Sequence, residues 1–404
     1  MISTFYMPTR IISGMDALRA LAPSAKELGM KSVLVVSDPI ISKQDYYLRA
    51  VEQLTVEGLN VTRFEDCEID ARVNQIDVQG ERVRQTKIDG VISIGGGSVM
   101  CAGKGIAIVG ANAKSMRDCT GLSNFKNRAL PMIMVPTTAG SGSEVSQWTI
   151  VKDDDNHAKL VCGGPLSFPD VAILDPVVLD SLPTPIAAAT GVDALTHALE
   201  AYTSSLASPI TDAIALAAIR LQFGCLRASI CANDDVQARA DNIMASSMAN
   251  VACGNARLGH AHTLSLPLES LVDLPHTLGV GVLMPHVLAF NLMVLPKKTA
   301  KVAEALGARI EPGQSQPALI AACVEALRDL YDDIGFPQHW TEEQLPRSRI
   351  REMAERAVAG LYAGAEGIEQ LKKMIIGADT VIKSVAPRKM TVRQAETILA
   401  ACVG

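Results

Sequence analysis

Gly90-Val91-Ile92-Ser93-Ile94-Gly95-Gly96-Gly97-Ser98 is the stretch on which the fold turns. Residues 90–94 form a short β-branched run, three glycines follow, and residues 99–109 continue with helix-compatible apolar residues. A strand that empties into glycines and then a helix brings backbone amides close to a helix N-terminus, where the dipole favours an anion. Three successive glycines at this point favour an oxyanion or phosphate cradle formed by Gly95, Gly96, Gly97 and Ser98 over a plain turn. The stretch is not G-x-G-x-x-G, so the ordinary dinucleotide fingerprint is absent.

Outward from this stretch, similar runs occur at residues 32–37 (SVLVVS), 131–135 (PMIMV) and 171–174 (VAIL), with helical patterns at 45–57 and 74–86 between them. Alternation of this kind predicts a parallel sheet with crossover helices. After Leu182-Pro183-Thr184-Pro185 the texture becomes Ala-rich, with helix-period apolar residues and almost no strand signal. The expected architecture is an α/β domain with a parallel sheet over residues 1–182, followed by an all-helical domain over 183–404. A length of 404 residues agrees with two domains.

Composition narrows the function. With 48% hydrophobic and 20% charged residues the chain is neither disordered nor fibrous. Its net charge of -6, with the two signs interspersed, offers no footprint for nucleic acid. Nine cysteines without a C-x-x-C pair, and an N-terminus unlike a signal peptide, point to a reduced, cytoplasmic protein. Residues 274–296 lack charge altogether, yet Pro285, His276, His286 and Asn291 argue for a buried central helix and against a membrane span.

The sharpest chemical signal is Gly191-Val192-Asp193-Ala194-Leu195-Thr196-His197-Ala198-Leu199-Glu200. Asp193 and His197 stand four apart, on one face of a helix, and a carboxylate with an imidazole can share a divalent cation. His262 and His276 follow in apolar surroundings, completing one oxygen and three nitrogens, a borderline set that suits Fe(II) or Zn(II). His260, two before His262, is open between packing and proton transfer. His157, among acidic residues, and His339 are expected at the surface, and His286 in the core.

Two further strand ends carry polar residues. Asp38 follows the run 32–37, where a carboxylate can bind a ribose diol and repel a 2′-phosphate, favouring NAD over NADP; the alternative is a turn residue before Pro39. Pro136-Thr137-Thr138-Ala139-Gly140-Ser141-Gly142-Ser143-Glu144 crowds hydroxyls and glycines after the run 131–135.

These segments together resemble the iron-containing (group III) alcohol dehydrogenases. The resemblance is carried by residues 5–10 (FYMPTR), Asp38, GGGS at 95–98 with Lys104, PTTAGSGSEV at 136–145, LDP at 174–176, GVDALTHALEAY at 191–202, LPH at 274–276 and MPHV at 284–287. It implies an NAD-binding domain of the dehydroquinate synthase type joined to a helical metal domain, with the active site in the cleft between them. It implies metal ligation by Asp193, His197, His262 and His276, with Fe2+ expected ahead of Zn2+. It further implies cofactor binding by Gly96, Gly97, Thr137, Thr138 and Ser141, adenosine ribose contact by Asp38, and Lys159 beside the cofactor. Relatives form dimers or larger rings, so a homo-oligomer is expected.

Three departures stand out. Relatives read HGMAHPLG, with a second histidine in a proposed proton relay, where this chain has His262-Thr263-Leu264-Ser265-Leu266-Pro267-Leu268. Leu266 cannot exchange a proton, which leaves water, a cofactor hydroxyl or His260 for that task; His260 and Lys159 are therefore the catalytic candidates. Cys101 replaces the Asp of GGGSxxDxxK, and Ile69-Asp70-Ala71 replaces Asn-Pro-Thr. The expected reaction is hydride transfer between NAD(H) and a small primary alcohol or its aldehyde. The alternatives are a cyclising lyase of the dehydroquinate synthase type and a non-catalytic nucleotide-binding relative.

Overall fold

The structure is a computed structural model that describes residues 3–156, 158–232, 235–362, 375–376 and 385–404. The chain divides into two compact units. One contains Met7–Leu182 together with the short strand Ile375–Ile376; the other contains the remaining described residues, before Met7 and from Pro183 onward.

In the first unit six parallel strands form a sheet: β1 (Arg10–Ser13), β2 (Ser32–Val36), β3 (Asn60–Phe64), β4 (Gly90–Gly95), β6 (Met132–Pro136) and β9 (Val171–Leu174), in the order β1-β9-β6-β4-β2-β3. Every residue of β4, β6 and β9 is buried, as expected of a parallel sheet covered on both faces. Strands β2, β4 and β6 are neighbours in register, Val33 beside Gly90 and Val91 beside Met132. Their carboxyl ends therefore emerge side by side, and these ends lead to Asp38, the glycine turn and the 136–144 loop.

Helices α1 (Leu21–Glu27), α2 (Asp45–Val56), α3 (Val73–Gln85) and α4 (Gly97–Asn112) supply the crossovers. The central α4 buries Val99, Met100, Ala102, Ile106, Ala107, Ile108 and Val109, each larger side chain contributing roughly 1.5–3 kcal/mol. Its Gly105 faces Ile76 of α3, where an added Cβ would meet Ile76 Cδ1 at 2.8 Å. The glycine allows close approach of the two helices.

The helix after the glycines starts at Gly97, two residues before the sequence pattern suggested, because Gly96 already occupies the extended N-cap position. Six of the described strands escaped the sequence reading. Strands β1 and β3 lie at the two edges of the sheet and are only partly buried, so their apolar patterning is weak. Strands β7 (Thr149–Asp153) and β8 (Ala158–Gly163) form an antiparallel hairpin in a second small sheet with β5 (Gly121–Leu122) and β10 (Ile375–Ile376). β10 is a strand within the half of the sequence expected to be entirely helical; its two residues pair with Lys159 and Leu160.

In the second unit α5 (Thr184–Thr203) is buried on every side from Gly191 to Thr203. Around it pack α6 (Pro209–Cys231), α7 (Val236–Ala256), α8 (His260–Leu271) and α9 (His276–Leu292). α9 is the charge-free segment; it accommodates Pro285 internally and is buried over most of its length. Helix α6 begins with a capping box between Ser208 and Thr211. Among the described residues it is the one helix long and apolar enough to cross a membrane.

Candidate metal centre and glycine-turn site

α5 presents Asp193, His197 and Glu200 at positions i, i+4 and i+7, so all three point to one side of the helix. His262 lies in the first turn of α8 and His276 opens α9. The Nε2 atoms of His197, His262 and His276 stand 3.7, 3.7 and 3.9 Å from Asp193 Oδ1. These separations are too long for hydrogen bonds. They suit ligands of one cation, which at about 2.1 Å from each donor holds tetrahedral neighbours about 3.4 Å apart.

Asp193 Oδ1 and His262 Nε2 are buried without a hydrogen-bond partner. Two such atoms aimed at each other across an unbonded gap cost free energy that a shared cation removes. One ligand atom from each of Asp193, His262 and His276 lies within 4.8 Å of the others. His197 approaches the same carboxylate oxygen and stacks on His262, ring centroids 4.8 Å apart. The side chains of Asp193, His197 and His262 are buried, whereas His276 is 40% exposed.

Carboxylates behind the imidazoles set their tautomers. His262 Nδ1 lies 2.8 Å from Glu200 Oε2, and His276 Nδ1 lies 2.6 Å from Glu269 Oε1. Each ring donates Nδ1–H to its carboxylate and turns the Nε2 lone pair toward Asp193, the arrangement metal-ligating histidines use. Glu200 also accepts from the amides of Gly259 and Ala261, fastening the start of α8 to α5. Burial alone raises the Glu200 carboxyl, but His262 and the two amides outweigh it and hold it below the ordinary carboxylate range. Burial pushes His197 down to about 4 against the opposing charge of Asp193, so at neutral pH it is a neutral base.

His260 is fully buried, with Nδ1 3.1 Å from Asn291 Oδ1 and its ring edge-on to Phe290. Burial lowers its proton affinity. It thus packs between α8 and α9, against Asn291 and Phe290. His339 is exposed and His286 half-buried, while His157 lies outside the described residues.

At the glycine turn, Gly96 caps α4 with no side-chain hydrogen bond, leaving the first-turn amides to another acceptor. A Cβ on Gly97 would meet Ser141 Cβ at 3.0 Å and Oγ at 3.1 Å, and one on Gly96 would meet Thr138 at 3.4 Å. The turn and the 136–144 loop are thus in contact, tied further by Thr137 N donating to Gly95 O at 3.0 Å. Ser98 Oγ accepts from Asp70 N at 3.1 Å, so its hydroxyl supports the 69–71 loop. In that loop Asp70 and Ala71 both adopt positive φ, 65° and 31°.

Lys104 is completely buried; its Nζ donates to the carbonyls of Ser143 (3.0 Å), Ser146 (3.2 Å) and Trp148. It locks the loop after Gly142 onto α4. On α4, Cys101 Sγ lies 3.8 Å from Ser143 Oγ and its carbonyl accepts from Thr149 Oγ1. Asp38 Oδ1 accepts from the amides of Ile40 and Ile41, the turn role weighed against ribose binding. Lys159 is half-buried on β8, opposite Lys152.

Sequence reasoning missed the roles of Glu200, Glu269, Lys104 and Asn291. For the two glutamates a signal existed, since each stands seven residues after a ligand candidate, Asp193 or His262, and shares its helix face.

The sequence profile described as iron-containing alcohol dehydrogenase matches residues 8–176, and that of the C-terminal part of the same family matches residues 187–375. The chain belongs to the iron-containing alcohol dehydrogenase family. It is 33% identical over 356 residues to 1,3-propanediol dehydrogenase of Citrobacter freundii, covering 88% of this chain and 92% of that one. It is 30% identical over 356 residues to the NAD-dependent methanol dehydrogenase of Bacillus methanolicus, covering 88% and 93%. The crystal structure of a 1,3-propanediol oxidoreductase superimposes with a TM-score of 0.90 at 30% identity, covering the whole of both chains.

An iron-containing alcohol dehydrogenase interconverts an alcohol and its aldehyde with NAD(H) and a divalent iron, and this is the activity of the chain. The lyase and the non-catalytic reading fall behind it. The orphaned Asp193 and His262 atoms, with one oxygen and three nitrogens in reach, fit the metal that the family uses.

Proposed function

We propose that Asp193, His197, His262 and His276 hold the divalent iron, and that the substrate is a small primary alcohol or its aldehyde. The convergence of three imidazole Nε2 atoms on Asp193 Oδ1 carries this reading. The bound ion supplies a Lewis acid that polarises a carbonyl or acidifies an alcohol. The half-exposed His276 marks the side from which a substrate oxygen enters, while the buried His197, His262 and Asp193 exclude water behind it. Leu264 and Leu268 are fully buried in the helical core and Leu266 is half-buried, so the side chains that follow His262 on α8 are apolar.

The amides at Gly96, Gly97 and Ser98 are assigned to the dinucleotide phosphates, and Thr137, Thr138 and Ser141 to the adjoining part of NAD(H). Asp38 keeps Oδ2 for a ribose hydroxyl while Oδ1 serves the turn. Lys159 stands beside the cofactor as an electrostatic partner. With Leu266 at the relay position and His260 sealed in the core, the substrate proton passes to water. Short relatives' substrates such as methanol and 1,3-propanediol support the choice of substrate class.

We assign the enzyme to the cytoplasm as a homo-oligomer; its nine thiols are all unpaired, and the apolar α6 leaves much of its surface uncovered. The deciding experiment loads the purified protein with Fe2+ without oxygen and follows the NADH band against short primary alcohols and aldehydes. Turnover that rises with bound iron is expected. Iron bound stoichiometrically with no turnover of any alcohol or aldehyde overturns the proposal.

A further inference from the structure

Among the three imidazoles of the metal centre the outer nitrogens are treated unequally. His262 hands its Nδ1–H to Glu200, and His276 hands its own to Glu269. His197 Nδ1 is buried with no hydrogen-bond partner. The unequal treatment matches the mechanical needs of the rings. His197 is held on both sides by α5 and the stacked ring of His262, whereas His276 is 40% exposed and sits at the first residue of α9, after Pro275. An imidazole at a helix start, open to solvent, loses rotamer freedom when it ligates.

Glu269 supplies the restraint. Its side chain is only 8% exposed although it faces a half-exposed histidine, and Oε1 takes a second hydrogen bond from Ser265 Oγ at 2.8 Å on the same helix. Ser265 is fully buried, so the carboxylate is anchored on the inner side and offers its oxygen outward to the ring. One oxygen thus links α8 to the first residue of α9. A carboxylate in this position also raises the basicity of Nε2 and adds a third negative charge, after Asp193 and Glu200, around the place of one divalent ion.

We propose that Glu269 is a positioning residue of the metal centre, which orients His276 and sets the affinity for the divalent ion. The inference rests on the proposed ligand set. It concerns how tightly this chain holds its metal, since the carboxylate touches the proposed ligand His276.

The test is a competition titration of the metal-free protein with Zn2+ against a chelating dye, for wild type, Glu269→Leu and Glu269→Gln. Leu is expected to weaken Zn2+ binding roughly ten- to a hundredfold, and Gln, which still accepts from Nδ1 but lacks charge, by an intermediate factor. Thermal unfolding of the three metal-free proteins checks that the fold is unchanged; should the Leu variant unfold, the Gln variant alone decides. Equal Zn2+ affinity of the folded variants and the wild type overturns the role of Glu269. A wild type that binds no Zn2+ overturns the ligand set itself, a separate failure that the same titration identifies.

Discussion

At the proposed metal centre the donor atoms belong to side chains projected from three helices; at the glycine turn the proposed donors are backbone amides at the end of β4, beside the ends of β2 and β6. Side-chain donors such as His262 Nε2 can be deleted one at a time while the helices that carry them remain packed. Amide donors survive every substitution except proline, and are otherwise disturbed by adding atoms where Gly96 and Gly97 leave room. The metal centre is thus sensitive to truncation and the turn to enlargement.

The strongest challenge to this contrast is His262→Ala. It should abolish metal binding and turnover while leaving far-UV circular dichroism and nucleotide binding in place; retained activity at wild-type metal content removes the cluster from catalysis. Next, Gly97→Ala should leave the metal content untouched and weaken NADH binding, read by fluorescence titration, by on the order of tenfold through the loss of one charge-assisted amide contact. A smaller sharpening comes from Asp38→Gly. It should raise relative use of NADP by about fivefold, since a charge near 4 Å in water is worth about 1 kcal/mol. An unchanged cofactor ratio confines Asp38 to its turn.

The mildest effect concerns the hairpin that bears Lys159. Arg117 grips the buried Asp153 through Nε at 2.8 Å and through a second nitrogen at 2.7 Å, and holds its carboxyl well below the ordinary range. The folded carboxyl is the stronger acid, so the pair stabilises the protein above the unfolded value near pH 4, and that contribution fades as pH falls further. Because Arg117 is partly exposed, the contribution is about 1 kcal/mol. Asp153→Asn should lower the melting temperature at pH 7 and flatten its decline between about pH 4 and pH 2.

Elements with strong, local patterns were open to the sequence. The buried strands β2, β4, β6 and β9 are continuous apolar runs, and α9 is charge-free, so periodicity and composition were enough. Edge strands β1 and β3 carry Arg10, Asn60 and Arg63 on exposed or half-exposed positions, and the hairpin β7–β8 contains Lys152 and Lys159; neither stands out from loop. The ligand candidates Asp193, His197, His262 and His276 could be named because they are rare residue types in apolar surroundings. Their outer partners went unnamed: the seven-residue spacing places Glu200 on the face of Asp193 and Glu269 on that of His262, but only the folding of α8 against α5 and α9 gives each carboxylate its imidazole.

Residue type and spacing by themselves determined the parallel sheet, the helical second half and the identity of four candidate donors, because each is written in contiguous residues. Only the tertiary structure decided that Glu269 stands behind His276, that Lys104 is spent on three carbonyls, and that His260 is shut against Asn291. The last two join segments more than thirty residues apart, and even Glu269 and His276, seven apart, meet only because α8 and α9 pack together; a hydrogen bond of a few ångströms leaves no trace in the order of the residues that make it.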